Sequence, residues 1–191
     1  MKQSAGILLY RDHGQGIEVL LVHPGGPFWA RKDAGAWSIP KGEFLENEEP
    51  FAAAKREFNE ELGLPVPDGP TIDLGSVRQS GSKTVFAWAI QADLDASVVV
   101  SNTFDLEWPP KSGEMKQFPE IDRAGWYTLD IAQARMVKGQ VPLLKKLTEV
   151  LQVALPEAAP AETLVLPAKP KSPKKSVKKS INDTEGQTSL F

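Results

Sequence analysis

The stretch from Gly42 to Leu64, GEFLENEEPFAAAKREFNEELGL, constrains this chain more than any other. Its second half places Glu57, Glu60 and Glu61 at spacings i, i+3 and i+4. On a helix turning about 100° per residue, that spacing sets all three carboxylates within one arc of the surface. Neighbouring like charges on a helix repel by about 0.2–0.5 kcal/mol per pair. The cluster therefore works against stability unless a cation compensates it. A hard divalent cation is the natural partner, because Mg²⁺ prefers oxygen ligands and keeps waters that a phosphate can replace.

The rest of the segment reads as a well-built helix. Asn47 is placed to cap it, Glu48 and Glu49 lie in its positively polarised first turn, and Pro50 falls where proline is tolerated. Gly63 supplies the stop and Pro65 forbids continuation. Phe51, Ala54, Phe58 and Leu62 form an apolar stripe beside the acidic one. One face is thus anchored in a core while the next presents carboxylates. Arg56 lies between the two faces and can reach back two turns to Glu48, fixing the orientation of the acids.

The spacing Gly42, five residues, Glu48, seven residues, Arg56-Glu57-Phe58-x-Glu60-Glu61-x-Gly63-Leu64 resembles the signature of the Nudix hydrolases. Every polar and glycine position of that 23-residue pattern is matched; Phe58 stands where the family usually has an aliphatic residue. The resemblance implies an α/β fold, an α/β/α sandwich with a mixed β-sheet in which the signature forms a loop–helix–loop. It implies a metal-dependent hydrolase that cleaves a phosphoanhydride bond of a nucleoside diphosphate derivative by attack of water on phosphorus. Carried onto this chain, Glu57, Glu60 and Glu61 bind Mg²⁺ or Mn²⁺, and the backbone before Gly42, at Lys41, offers a carbonyl to metal. One of the three glutamates, or an acid from a later loop, serves as base, while Arg56 and Glu48 hold the helix in shape. An approach reading Pro40-Lys41-Gly42 accompanies, in that family, action on nucleoside or dinucleoside polyphosphates, so a nucleoside triphosphate or dinucleoside polyphosphate is the expected substrate. The alternative is a nucleotide-binding module without turnover, delivered to a replication complex by the C-terminal tail.

Around the signature the chain reads as strands and loops. Ala5–Tyr10 and Ile17–His23 are rich in Ile, Leu and Val and flank Asp12-His-Gly-Gln-Gly16, a β-hairpin pattern. His23 reads as a hydrogen-bonded structural histidine or a substrate contact. In the loop at 24–36, Phe28 and Trp29 can stack on a nucleobase or pin the loop to the body. Lys41, just before the acidic helix, can hold phosphate oxygens. Ile72–Gln79 and Thr84–Leu94 form a second hairpin. Gly81-Ser-Lys-Thr84 in its turn lacks the Gly-Lys-Ser/Thr adjacency of a phosphate-binding loop, and a strand follows where a helix should. Val85-Phe-Ala-Trp-Ala-Ile90 is apolar on both faces, as in a sheet covered on both sides. Ser101–Glu120 reads as a loop whose Glu120, and secondarily Glu107, are candidates for a further ligand or base. Ile121–Leu129 closes the sheet, and a last helix spans Val141–Val153.

The chain has 191 residues, 41% of them apolar, which suits one domain over residues 1–154 and an appendage over residues 155–191. The net charge of −3 hides an asymmetry, because the tail carries six lysines against four acids. The acidic body argues against direct nucleic-acid binding, which needs a basic surface. There is no cysteine, consistent with a cytoplasmic setting and excluding thiolate chemistry. No stretch approaches the roughly 20 apolar residues of a membrane span. From Leu155, Pro, Ala, Lys and Ser dominate, a composition expected to remain disordered. The chain ends Gln187-Thr-Ser-Leu-Phe191, which resembles the peptides that dock bacterial replication proteins onto the sliding clamp, with Gln187, Leu190 and Phe191 as the contact residues and Thr188 where leucine is frequent.

Overall fold

The computed structural model describes residues 2–164; the lysine-rich run and the Gln187–Phe191 motif lie outside them. The central strand is β1, Lys2–Asp12, in which every residue from Ser4 to Tyr10 is buried. A strand covered on both faces reads as a continuous apolar run, which is what AGILLY supplies. β2, Ile17–Pro24, returns antiparallel to it, and the three-residue β3, Lys41–Glu43, pairs with the first half of β1. Helix α1, Pro50–Leu62, then crosses the sheet. β4, Thr71–Ser80, and β5, Lys83–Gln91, form a hairpin whose second strand runs parallel to β1 along Lys2–Tyr10. β6, Thr103–Glu107, and β7, Met115–Pro119, make a separate two-stranded ribbon. β8, Ile121–Thr128, completes the main sheet in the order β4-β5-β1-β2-β8, with β3 beside β1. α2, Leu129–Arg135, and α3, Val141–Leu151, follow.

Helices cover both faces of this mixed sheet, the α/β/α sandwich expected. On one face Ala53, Ala54, Phe58 and Leu62 of α1 pack on Ala5, Ile7, Leu9, Leu20 and Val22. On the other, Leu129 and Ala132 of α2 and Leu143, Leu144 and Leu147 of α3 pack on Leu8, Tyr10, Val19 and Leu21. Alternate residues of β1 and β2 thus point into opposite layers, as the two-residue period of a strand requires. No helix among the described residues is long and apolar enough to cross a membrane.

Four local expectations need correction. The cap of α1 is Glu49, not Asn47: its carboxylate accepts the N–H of Ala52 at 2.8 Å, and Pro50 occupies the first turn. Proline at that position needs no N–H partner, so the helix starts directly after Glu49. Ser101–Glu120 is not a loop but contains the β6–β7 ribbon, whose strands are mostly exposed and show no clean apolar alternation. Leu129 begins α2 rather than ending β8. The last helix stops at Leu151, and Leu155 packs back against the core, while Ala159 donates its N–H to the Asp130 carbonyl at 3.0 Å.

The end of α1 is set by Gly63, which takes the left-handed conformation at φ 68° and donates its N–H to Asn59. A Cβ there would lie 2.4 Å from the Val100 carbonyl oxygen. Both the conformation and the space call for glycine. Gly63→Ala is expected to destabilise the protein by at least about 1–2 kcal/mol, the strain of a non-glycine residue in that region. A urea titration reading a lower midpoint at unchanged slope would show this; an unchanged midpoint would refute the assignment.

Candidate active site

The site lies at the corner where β3 turns into α1. Gly42 is bare because Glu57 lies against it: a Cβ built on Gly42 would sit 1.7 Å from Glu57 Oε2. Glu61, one turn further along α1, accepts the backbone N–H of Lys41 through Oε2 at 3.0 Å. Two carboxylates of the helix thus grip consecutive residues of one short strand. β3 is held in turn by β1 through the register Ser4–Glu43, Ala5–Gly42 and Gly6–Lys41.

Arg56 organises the remaining acids. Its Nε and Nη2 donate to the two oxygens of Glu48 at 2.9 and 3.1 Å, a bidentate pair, as the reach of two turns predicted. Its Nη1 also donates to Glu57 Oε1 at 2.7 Å and to Glu60 Oε2 at 3.2 Å, and Nη2 reaches the Glu43 carbonyl at 3.4 Å. One guanidinium therefore holds three carboxylates and the end of β3. The hydrogen bond from Arg56 holds the Glu48 carboxyl below the usual carboxylate range.

Glu57 and Glu61 are shifted the other way. Burial pushes the Glu57 carboxyl up, against the opposing pull of Arg56. Burial raises Glu61 further, to about 7; Lys41 opposes the rise, and the charges of Glu57 and Glu120 add to it. Desolvation penalises the ionised form, and neighbouring carboxylates compound the penalty. Of the three glutamates on the arc, Glu61 alone has no cationic side chain in contact with it among the described residues.

The donor set suits a hard divalent cation. Glu57 and Glu61 offer oxygens beside the same backbone corner, and their raised carboxyls mark negative charge that the protein leaves incompletely matched. Among the described residues no three acidic, histidine or cysteine side chains already converge as a complete ligand group. Glu57 and Glu60 are turned onto Arg56.

The other expected site residues fall into two groups. Glu120, exposed at the head of β8, is close enough to act on Glu61, and its backbone joins Gly25 and Asn102 at 2.8 Å each. Asn102 N–H also donates to the Glu60 carbonyl at 3.4 Å, so the β6–β7 ribbon is tied to the C-terminal turn of α1. Glu107 lies apart, accepting the Gly113 N–H at 2.8 Å within the turn of the ribbon. Phe28 packs edge-on against Trp108 at 5.3 Å while remaining 58% exposed, and Lys32 stands 4.6 Å over the Trp29 ring. His23 is fully buried between Asp122 and the Lys32 carbonyl, 2.7 Å from each, a structural histidine that anchors the aromatic loop. Two cations act on Glu61: Lys41, expected from its place before the acid helix, and Lys83 at the start of β5, within Gly81–Thr84. Its only sequence signal is a lysine at a strand's first position.

No curated protein matches the sequence significantly. Solved structures do match at the level of the fold. An Ap4A hydrolase of C. elegans, in a binary complex, shares 20% identity and a TM-score of 0.54 over 80% of this chain and 98% of its own. The NUDIX domain of Shewanella oneidensis NrtR, complexed with ADP ribose, shares 18% identity and a TM-score of 0.52 over 78% and 87%. A mutT/nudix family protein from Listeria innocua shares 19% identity and a TM-score of 0.52 over 79% and 94%. The family model of the NUDIX domain matches residues 1–147, which takes in the sheet, the acid helix and the corner they share. The chain belongs to the NUDIX family, as an enzyme of its pyrophosphohydrolase class.

Proposed function

We propose that the protein hydrolyses a phosphoanhydride bond in a nucleoside triphosphate or dinucleoside polyphosphate, with Mg²⁺ or Mn²⁺ held at the β3–α1 corner. The observation that carries this is Glu61: a largely buried carboxylate, raised to about 7, fastened to the Lys41 backbone beside Glu57. Glu57 and Glu61, with the Lys41 carbonyl and Glu60, are the oxygens that would hold the cation. The chemistry a bound cation supplies is neutralisation of phosphate charge and a lowered pKa for the attacking water. Lys41 holds phosphate oxygens, and Glu60, exposed and paired with Arg56 at 3.2 Å, accepts the water's proton, with Glu120 the second candidate. Water adds to one phosphorus, the bridging P–O bond breaks, and two phosphate products leave. Arg56 and Glu48 act as positioning residues. Phe28 and Trp29 are the base-stacking surface. The Pro40-Lys41-Gly42 approach supports the polyphosphate class, and a fold neighbour bears the name Ap4A hydrolase.

The test is product analysis with Mg²⁺ across nucleoside triphosphates, Ap4A, oxidised purine nucleotides and ADP-ribose. Glu57→Gln and Glu61→Gln are expected to lower kcat by at least about 100-fold, the scale of losing an essential acid–base or ligating group, with both variants still folded by circular dichroism. Tight nucleotide binding without product in the wild-type protein would instead select the binding module.

The raised Glu61 carboxyl also sets a pH dependence. Between its ordinary value of 4.5 and about 7 the folded state holds a proton that the unfolded chain has lost. Metal-free stability contributed by this group is therefore full below about pH 4.5 and lost as pH rises through 7. The loss amounts to roughly 3 kcal/mol, at about 1.4 kcal/mol per pKa unit. Urea midpoints of metal-free wild-type and Glu61→Gln proteins from pH 5 to 8 should diverge, the variant gaining relative stability as pH rises. Parallel curves would remove the case for a strained carboxylate.

The clamp contact through Gln187, Leu190 and Phe191 rests on the motif alone. Capture by purified sliding clamp should be lost on deleting residues 186–191; equal capture of both proteins would end that reading.

A further inference from the structure

His23, on β2, is fully buried, and both of its ring nitrogens face oxygens that only accept hydrogen bonds. Nδ1 lies 2.7 Å from Asp122 Oδ1, and Nε2 lies 2.7 Å from the Lys32 carbonyl. Each contact needs a hydrogen on the ring nitrogen, and a neutral imidazole carries only one. The two bonds together therefore describe an imidazolium. The second of them matters for the aromatic loop. Gly25 at the loop's start donates to the Glu120 carbonyl at 2.8 Å, and Asp33 near its end accepts Trp37 Nε1–H at 2.7 Å. In between, the N–H groups of Trp29 and Lys32 bond back within the loop, to the carbonyls of Gly26 and Trp29. Among the described residues, the bond from His23 is the one hydrogen bond that ties residues 26–32 to the sheet.

A third neighbour competes for the ring. Arg123 Nη2 sits 2.8 Å from Nδ1 and 3.1 Å from Nε2, while Arg123 Nε donates to Asp122 Oδ1 at 3.1 Å. A guanidinium nitrogen only donates, so it suits a ring nitrogen with a lone pair and repels a ring that carries charge. The other charged groups around His23 keep one state near neutral pH. Burial works to raise the Asp122 carboxyl, but hydrogen bonds from His23 and Arg123 prevail and hold it below its usual range. The Lys32 ammonium stands over the Trp29 ring instead. Beyond Trp37, edge-on to His23 at 5.1 Å, Asp33 pairs with Arg135 at 3.4 Å, and burial pushes the Tyr127 hydroxyl up to about 12. Imidazole is the side chain that ordinarily changes charge between about pH 5 and 8.

We propose that His23 is a proton-dependent latch on the loop that carries Phe28 and Trp29. With both ring nitrogens protonated, Nε2 donates to the Lys32 carbonyl and the loop is held. When Nε2 gives its proton to solvent, its lone pair accepts from Arg123 Nη2 instead, and Nδ1–H stays on Asp122. The Lys32 carbonyl then faces no donor, and its segment is released. The exchange needs no shift of β2 or β8, because Arg123 Nη2 already lies within reach of both nitrogens. The loop is therefore held at low pH and freed as pH rises. This goes beyond the hydrolase reading and stands whether or not a nucleotide is turned over.

Nitrogen-15 NMR of the histidine rings, on the full chain from pH 5 to 9, tests the latch directly. The chain has two histidines, and His13, exposed in the β1–β2 turn, serves as the reference. His23 is expected to carry protons on both nitrogens at the acid end and on Nδ1 alone at the basic end. Amide hydrogen exchange, corrected for its intrinsic pH dependence, reads the loop. Relative to β1 amides, the Trp29 and Lys32 amides should lose at least about 10-fold in protection across the same transition, the scale of one hydrogen bond to a buried charged group. Arg123→Met removes the competing donor and should keep both ring nitrogens protonated at a pH where wild type has lost one. His23→Gln should leave the loop's relative protection flat across the range. A ring that holds one protonation state throughout, or a neutral ring with its proton on Nε2, would overturn the latch. So would a His23 titration that leaves the loop's relative protection unchanged, and wild-type protein alone decides both points.

Discussion

The contact between Glu57 and the bare backbone of Gly42 is the constraint on which the site depends. It requires a residue without a side chain at 42, a carboxylate at 57, and a helix axis that brings the two within touching distance. The helix axis is fixed by apolar packing: Ala53, Ala54, Phe58 and Leu62 are fully buried on the sheet, and a core packed to crystal-like density does not let a helix slide. Glu49 caps one end and Gly63 closes the other, so the register of the acids is set from both termini. Core burial thus provides the stability that permits a helix with like charges at i, i+3 and i+4, and Arg56 recovers part of the repulsion by holding Glu48, Glu57 and Glu60 together.

That arrangement leaves an asymmetry with chemical meaning. Three acids share one guanidinium, whereas Glu61 has only the Lys41 N–H, and burial drives its carboxyl upward. An ionised carboxylate in that position is destabilising until a proton or a cation joins it. The protein therefore stores at Glu61 a free energy that ligand binding can release. Arg56 limits the effect: Glu57 and Glu60 are turned onto it, and among the described residues the acids do not converge with Glu61.

How much of this was legible in the sequence depended on range. The acid arc, the apolar stripe, the Arg56–Glu48 reach and the Gly63 stop are all local, set within three turns of one helix, and each is found where its spacing put it. The strands of the sheet were legible because AGILLY and VLLV are continuous apolar runs. What failed was either short or polar. The β6–β7 ribbon has little apolar face to betray it, α2 is seven residues long, and the cap lies two residues later than asparagine would put it because the Glu49 side chain accepts the Ala52 N–H and Pro50 opens the helix. Long-range polar partners were out of reach altogether. Nothing local couples His23 to Asp122 and Arg123, about 100 positions away, yet together they pin the loop that carries Phe28 and Trp29.

The distribution of charge connects these points. A net-negative body with an acidic helix at the β3–α1 corner repels a nucleotide, which carries charge of the same sign. Local cations resolve the conflict more economically than a basic surface would, because fields in a partly desolvated cleft act over a few ångströms while distant charges are screened within about 10 Å at ordinary ionic strength. Lys41 and Lys83 are brought beside the first half of β1, which carries Lys2, by two separate strand pairings, although Lys2 and Lys83 lie 81 positions apart. Gly81-Ser-Lys-Thr84 does not form a phosphate loop, since a strand follows it; its lysine reaches the acid corner because β5 runs parallel to β1 and starts beside Lys2. The sheet topology, rather than any contiguous motif, gathers these lysines, just as the helix periodicity gathers the acids.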